Sequence, residues 1–213
     1  MKTASSLIQS HLRSTVPGWT ATAALVNAYA GAAQGVGYHS DALTYLGPRP
    51  TIATLSLGAQ REFRIKPHPP GPDTHPHTYA IHLPHNSLLV MTAGVQEAWK
   101  HSVPLVRSVD AHPVAGVVRI AVTWRWYRDG FAPEKIPQCK CGVGMMLKPV
   151  FAKEEGGDGG DGRKYYWACE GGYRVDGESC GGFKWAEFDE DGNILEEKDP
   201  EEAGKSDVKA GVT

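Results

Sequence analysis

Residues 117–127 read VVRIAVTWRWY, and the fold turns on how they are read. Val118, Ile120, Val122, Trp124 and Trp126 share one side of an extended chain, and Arg119, Ala121, Thr123 and Arg125 share the other. That period of two is the mark of a β-strand. Upstream, TIATLSL (51–57) alternates in the same way, with Ala53, Leu55 and Leu57 on one face and Ile52, Thr54 and Ser56 on the other. EFRI (62–65), YAIHL (79–83) and SLLVM (87–91) read as further strands. The intervening PHPPGPDTHP (67–76) must be a loop, because proline can neither donate to a ladder nor sit inside a helix. GAAQGVG (31–37), after the apolar stretch ATAALVNAYA (21–30), reads as a turn. The 25 Gly and 15 Pro in 213 residues argue against a helical bundle. Strands between Gly/Pro turns, with a single helix expected around Leu7, Ile8 and Leu12, predict a mainly β sandwich or jelly roll.

At 41% hydrophobic and 22% charged residues, the composition excludes a disordered or collagen-like chain. No apolar stretch approaches the ~20 residues of a membrane-spanning helix, and no secretory signal is visible. The first 40 residues lack acids and are rich in Ser and Thr, as transit peptides are, but Lys2 and Arg13 are their only Lys/Arg residues. The net charge of −2 hides an asymmetry. Residues 1–132 carry 11 Lys/Arg against 6 Asp/Glu, residues 133–190 carry 8 against 11, and residues 191–213 carry 3 against 7. The first block could attract a polyanion, and the tail would repel one. All nine His lie within 1–112 and all four Cys within 139–180. This division predicts two units, 1–132 and 133–190, with PEKIPQ as the link, followed by an acidic, disordered tail at 191–213.

His39-Ser40-Asp41 sets two ligand-type side chains at i and i+2, which point the same way on an extended segment. One more His completes a two-His, one-carboxylate face that leaves positions open on Fe(II), and the chain offers His101. The competing reading of H-x-D is a surface turn. Arg119 and Arg125, an even six apart, share a strand face separated only by the small Ala121 and Thr123. Buried guanidiniums require a carboxylate or phosphate partner, so this face has room for a small dianion. Asn27 and Tyr29, another i, i+2 pair, could add neutral hydrogen bonds. His68, His75, His77, His82 and His85 are dense enough to suggest a metal site, but the Pro-broken backbone reads more simply as a substrate-side loop.

Together these pieces resemble the AlkB-type Fe(II)/2-oxoglutarate dioxygenases. The resemblance runs in order through LVNAY (25–29), HSD (39–41), LGP (46–48), IATLSLGAQREF (52–63), NSLLVM (86–91), QEAWKHSVP (96–104) and RIAVTWR (119–125). It implies a double-stranded β-helix with Fe(II) held by His39, Asp41 and His101, and 2-oxoglutarate held by Asn27, Tyr29, Arg119 and Arg125. It further implies oxidation of N-methyl groups on nucleobases, the hydroxymethyl product releasing formaldehyde. Three departures from the family pattern stand out. Ala121 replaces the Asn usual in R-x-N-x-T-x-R. Ala42 and Leu43 replace acidic residues that often follow H-x-D. Only 26 residues precede Asn27, where the family carries a long segment that forms a lid.

Cys139-x-Cys141, Cys169 and Cys180 place four thiols in a short segment with little core of its own, which suggests a closed Zn(II) site rather than disulfides. The competing reading is buried free thiols. CKCG (139–142), GRKYYWAC (162–169) and CGGFKWA (180–186) resemble a GRF-type zinc finger. That family grips single-stranded nucleic acid. The resemblance implies phosphate contacts from Arg163, Lys164 and Lys184, and base stacking by Tyr165, Trp167 or Trp185, with core packing as the alternative for the tryptophans.

The sequence therefore predicts a monomeric oxygenase with a zinc finger that delivers single-stranded DNA or RNA. The nucleus is the expected location, with the mitochondrion as the alternative. Two other readings remain open: a non-catalytic nucleic-acid-binding protein, and an oxygenase acting on a protein or small molecule.

Overall fold

The structure is a computed structural model that describes residues 2–68, 77–150, 164–171, 180–189 and 192–195. It is mainly β. The elements are α1 (Lys2–Leu12), β1 (Ala23–Ala30), β2 (Val36–His39), β3 (Ile52–Gly58), β4 (Arg61–Pro67), β5 (Tyr79–Leu83), β6 (Ser87–Met91), the single turn α2 (Val95–Ala98), β7 (Trp99–Val103), β8 (Val118–Arg125), β9 (Met146–Pro149), β10 (Tyr165–Ala168) and β11 (Phe183–Ala186). Among the described residues, no helix is long and apolar enough to cross a membrane.

The first eight strands form two four-stranded antiparallel sheets, ordered β1-β8-β3-β6 and β2-β7-β4-β5. Between them lies a core built from both sheets: Tyr29, Ile52, Met91 and Ala121 from the first, Phe63, Leu83 and Val103 from the second. The opposite face of the first sheet carries Ala53, Leu55, Val90, Val122 and Trp124, which pack with Ile8 and Leu12 of α1 and with Trp19. The Trp19 indole N–H is satisfied by the carbonyl of Thr51 at 2.9 Å. The alternation in β8 and β3 is thus resolved in an instructive way. The uniformly apolar faces are covered by the N-terminal helix, and the more polar faces turn inward. Arg119, Ala121 and Thr123 are buried, whereas Val118, Ile120 and Val122 are only half-buried.

The β3–β4 turn shows why glycine is required at its corner. Gly58 has φ +81°, and a side chain there would run into the carbonyl of Val118. Two expectations need correction. The stretch 31–37 is not a turn throughout, because Val36 and Gly37 enter β2. The tail expected to be disordered from 191 is ordered in part, since residues 192–195 close a turn in which Phe188 bridges Ile194 and Asn193 bonds Asp189. The rest of the Pro/His loop, 69–76, and residues 196–213 lie outside the described residues.

The third sheet, β11-β10-β9, is antiparallel and does not stand apart. Leu147, Tyr165 and Trp167 from it share one core with Leu43, Phe131 and Ile136, and with Cys139, Met145 and Cys169. The expected link 133–138 is a short 3-10 turn (Pro133–Lys135) whose Ile136 is part of that core.

Candidate active site

The site lies in an open cavity of about 700 Å³ between the two large sheets, and β-pairing builds its floor. Across β1 and β8, Leu25 faces Thr123, Asn27 faces Ala121 and Tyr29 faces Arg119. On the other side of β8, Thr54 faces Thr123 and Ser56 faces Ala121. Three adjacent strands therefore present one polar surface. The wall from the second sheet brings His39 of β2 opposite His101 of β7. His39, Asp41, His101, Asn27, Tyr29, Arg119 and Arg125 all line this cavity, so the residues singled out for iron and 2-oxoglutarate are gathered in one place.

His39 Nε2 and His101 Nε2 lie 3.9 and 3.8 Å from the same oxygen, Asp41 Oδ1. The three ligand atoms fall within 4.8 Å of one another, and their residues are one of two such groups among the described residues. His39 Nδ1 donates to the carbonyl of Gly37 at 2.8 Å, which leaves the Nε2 lone pair free to face the cluster. His101 is buried and stacks on Phe63, with ring centroids 5.4 Å apart. Burial, with help from the neighbouring His39, pushes its pKa down to about 4, so it is neutral at physiological pH, as a metal ligand must be. The donor set fits a divalent transition metal that takes two imidazoles and one carboxylate.

The two arginines do different things. Arg125 Nε and Nη2 reach Asp41 Oδ2 at 2.9 and 2.7 Å, so this residue, expected to hold the cofactor, grips the carboxylate of the ligand triad. Both donors share Oδ2, which leaves Oδ1 for the imidazole side. Arg119 is 2% exposed, donates from Nε to Ser56 Oγ at 2.9 Å and sits 5.4 Å over the Tyr29 ring. Burial pulls its pKa down, Tyr29 opposes that through its charge and a hydrogen bond, and nearby Arg61 adds to the lowering. Among the described residues no carboxylate pairs with it. A buried cation on the floor of a cavity, partnered among the described residues only by Ser56 and Tyr29, is a receptor for an anion. Arg61 beside it is also buried, but donates to the carbonyls of Gly31, Gln34 and Pro104 and so ties down the cavity rim.

The four cysteines form the second converging group, with Cys139 Sγ 3.3 Å from Cys180 and Cys141 Sγ 3.5 Å from Cys169. These separations are too long for disulfides and near the ~3.8 Å edge of a tetrahedron with 2.3 Å zinc–sulfur bonds. Gly182 lies so close to Cys139 that a side chain there would displace the sulfur. Hydrogen bonding to Cys180 pushes Cys169 up to about 12, and the same contact draws Cys180 down.

The residues expected to meet nucleic acid are divided by the structure. Arg163 lies outside the described residues. Lys164 is exposed. Trp167 is 1% exposed and Tyr165 is buried, so neither offers a ring for stacking; both belong to the core. Lys184 pairs with Trp167 in the ladder and so shares its core-facing side. The aromatic surface that does face solvent is Tyr166, Phe183 and Trp185. Phe183 stacks on Tyr166 at 5.2 Å and meets Trp185 edge-on at 5.1 Å. Phe183 and Trp185 are each 55% exposed. Alternation along β10 and β11 carried this signal: the tryptophan opposite the buried Tyr165–Trp167 side had to point outward. The His-rich alternative finds no convergent group among the described residues: the His85 and His112 rings meet at a tilt, with centroids 4.5 Å apart, but each turns Nδ1 to backbone N–H groups, and His75 lies outside the described residues.

Sequence reasoning also missed Gln96, whose Oε1 accepts the backbone N–H of Asp41 at 2.8 Å, and Ser56, which orients Arg119.

Residues 1–125 match the 2OG-Fe(II) oxygenase superfamily, and the chain belongs to that family. It is 38% identical over 91 residues to the alpha-ketoglutarate-dependent dioxygenase alkB homolog 3 of Homo sapiens, a match covering 41% of this chain and 32% of that protein. It is 32% identical over 107 residues to the DNA oxidative demethylase ALKBH2 of Arabidopsis thaliana, covering 42% of this chain and 34% of that protein. The chain thus spans about a third of the length of these curated relatives. Among solved structures it is similar to OsALKBH1, with 19% identity, a TM-score of 0.39, and coverage of 58% of this chain and 60% of that one.

Proposed function

We propose that this chain is an Fe(II)/2-oxoglutarate-dependent dioxygenase that demethylates N-alkylated bases in single-stranded DNA or RNA. One observation carries the reading: a two-His, one-carboxylate cluster opens into the same cavity as a buried arginine that has no carboxylate partner among the described residues. In this reading the two large sheets are a double-stranded β-helix, which their interleaved order supports. His39, Asp41 and His101 hold Fe(II). Bound there, Fe(II) with 2-oxoglutarate supplies the O₂-driven oxidation of a methyl C–H bond, with succinate and CO₂ as the coproducts. Gly37 fixes the tautomer of His39, and Arg125 fixes the rotation of Asp41. Arg119 neutralises a carboxylate of the keto acid, with Tyr29 and Asn27 as neutral partners beside it. Phe63, Met91, Val103 and Leu105 give the remaining wall an apolar lining that limits water. A base within a duplex cannot enter such a cavity, so the substrate is single-stranded or flipped.

The cysteine cluster holds Zn(II) in a GRF-type finger at 133–190, and Tyr166, Phe183 and Trp185 stack bases of the same strand. The +5 charge of residues 1–132 favours a polyanion there, and the net −4 charge of residues 191–213 would repel one. The protein acts as a monomer in the nucleus. The test is succinate formation from 2-oxoglutarate with Fe(II) and O₂, with and without oligonucleotides carrying N1-methyladenine or N3-methylcytosine. Turnover stimulated by the oligonucleotide is expected. Absence of turnover in folded, zinc-loaded protein would leave a non-catalytic binding protein instead.

A further inference from the structure

The loop that supplies Asp41 is built into the core of the cysteine module. Leu43, two residues on, is buried among Met145, Leu147, Tyr165 and Trp167 of that module. Thr44 Oγ1 accepts the backbone N–H of Leu147 at 3.3 Å. The loop then turns, Gly47 N–H bonding the carbonyl of Leu43 at 2.7 Å, with Gly47 pressed against the ring of Phe131. Arg49 follows in the left-handed region at φ 54°, a conformation that costs a non-glycine residue about 1 kcal/mol and persists where neighbours hold it. Its holder is Glu97, 1% exposed, whose Oε1 accepts Arg49 N–H at 2.6 Å and the hydroxyl of Tyr165 at 3.2 Å. Next to Glu97, Gln96 accepts the N–H of Asp41 itself, and Ser40 Oγ bonds the carbonyl of Trp99, two residues before His101. A continuous set of contacts therefore runs from the sheet closed by the cysteines, through Tyr165 and Glu97, to the backbone of one proposed iron ligand and the strand of another.

We propose that the zinc-closed cysteine module is a positioning element of the iron site, so that occupancy of the thiolate cluster sets the affinity of the His39/Asp41/His101 cluster for its metal. Tyr165 and Glu97 are the positioning residues that carry the coupling. The cluster of four thiolates cannot close without drawing β9 and β10 together, and Leu147 and Tyr165 on those strands are what the Asp41 loop rests on. This rests on the iron reading above.

The experiment uses Mn(II), a hard ion suited to the imidazole–carboxylate site and poorly suited to thiolates. Its binding to the zinc-loaded full chain is followed by electron paramagnetic resonance in the wild type and in Cys180→Ser, Tyr165→Phe, Glu97→Ala, Glu97→Gln and the surface variant Asp110→Asn, at an exposed residue away from both clusters. Changes beyond the first ligands of a metal typically cost roughly 10–100-fold in affinity. Cys180→Ser and Glu97→Ala are expected to weaken Mn(II) about 10-fold and to alter its line shape, and Tyr165→Phe to weaken it about 3-fold. Glu97→Gln, which keeps the Oε1 acceptor, restores wild-type affinity, and Asp110→Asn leaves it unchanged. Should Cys180→Ser fail to fold, Tyr165→Phe and the Glu97 pair decide the matter, since they leave the thiolates in place. Wild-type affinity and line shape in Tyr165→Phe and Glu97→Ala would overturn the coupling while leaving the iron site standing. No Mn(II) binding by the wild type would overturn the iron site itself.

Discussion

Replacing Arg119 by methionine separates a ligand-binding cation from a structural one. The guanidinium is 2% exposed, donates to Ser56 at 2.9 Å, rests over the Tyr29 ring and also hydrogen-bonds the Tyr29 side chain. In the ligand-free protein it bears a desolvation cost that no carboxylate among the described residues offsets. Methionine has similar reach and keeps contact with the Tyr29 ring, so the substitution should leave the ligand-free melting temperature unchanged or higher. With 2-oxoglutarate bound, the same residue is one half of a buried ion pair, and loss of one partner costs at least about 3 kcal/mol, or roughly 150-fold in Kd. The assay is thermal unfolding and calorimetric titration with 2-oxoglutarate in the presence of Mn(II). At one hundred times the wild-type Kd, the ligand stabilises the wild type by about 2.7 kcal/mol. At that same concentration it stabilises Arg119→Met by about 0.3 kcal/mol. Arg119→Lys, which keeps the charge and loses the planar fork, should fall between the two. Binding within threefold of wild type in Arg119→Met, or a melting temperature several degrees lower without ligand, would refute the assignment.

Alanine at His39, Asp41 or His101 should abolish turnover, and full activity in any one variant would remove that residue from the metal site. His101 also gives the iron-free protein an acid sensitivity. Its folded pKa is about 4 against 6.5 unfolded, so the unfolded chain binds the proton first. Stability falls as pH drops from 6.5 towards 4, by about 3 kcal/mol in all. His101→Gln should flatten that part of a melting-temperature profile taken with no iron added, and superimposable profiles would exclude the effect. The two tryptophans of the third sheet should separate stability from binding. Trp167→Ala should cost about 3–5 kcal/mol and release zinc readily. Trp185→Ala should leave unfolding unchanged and weaken single-stranded oligonucleotide binding by about 1–3 kcal/mol in a fluorescence titration. Equal effects of the two on stability would contradict the burial difference.

Much of this architecture was legible because strand periodicity is local. Strands were expected at 51–57, 62–65, 79–83, 87–91 and 117–127; those at 79–83 and 87–91 are found with the expected ends, and the other three with ends shifted by one or two residues. The gathering of His39, Asp41 and His101 was legible only through family resemblance, because the pairing of β2 with β7 joins residues 62 positions apart. β2 itself was hidden. Four residues that include Gly37 give no period to count, and the Gly-rich approach to them reads as a turn. The contact of Arg125 with Asp41 was equally out of reach, because the even spacing of Arg119 and Arg125 places both on one face but does not say which anion each meets. Trp167 was offered as a stacking residue because composition alone cannot say which side of a four-residue strand is covered. The answer depends on Leu43 and Phe131, far away in sequence.

The orientation of β3 and β8 links these successes and failures. A strand with one wholly apolar face invites the inference that this face looks into the sandwich. Here it looks out, onto a helix whose Ile8 and Leu12 are buried against it. Once α1 takes the apolar side, the side carrying Arg119, Thr123 and Arg125 must face the second sheet, and two sheets cannot close on buried guanidiniums without leaving a gap. The cavity follows from that mismatch. Small residues at Ala121 and Ser56 keep it open, and the apolar residues that would otherwise fill it are used on the other face. The helix over the outer face is therefore part of what creates the site, although residues 4–12 of it do not line the cavity.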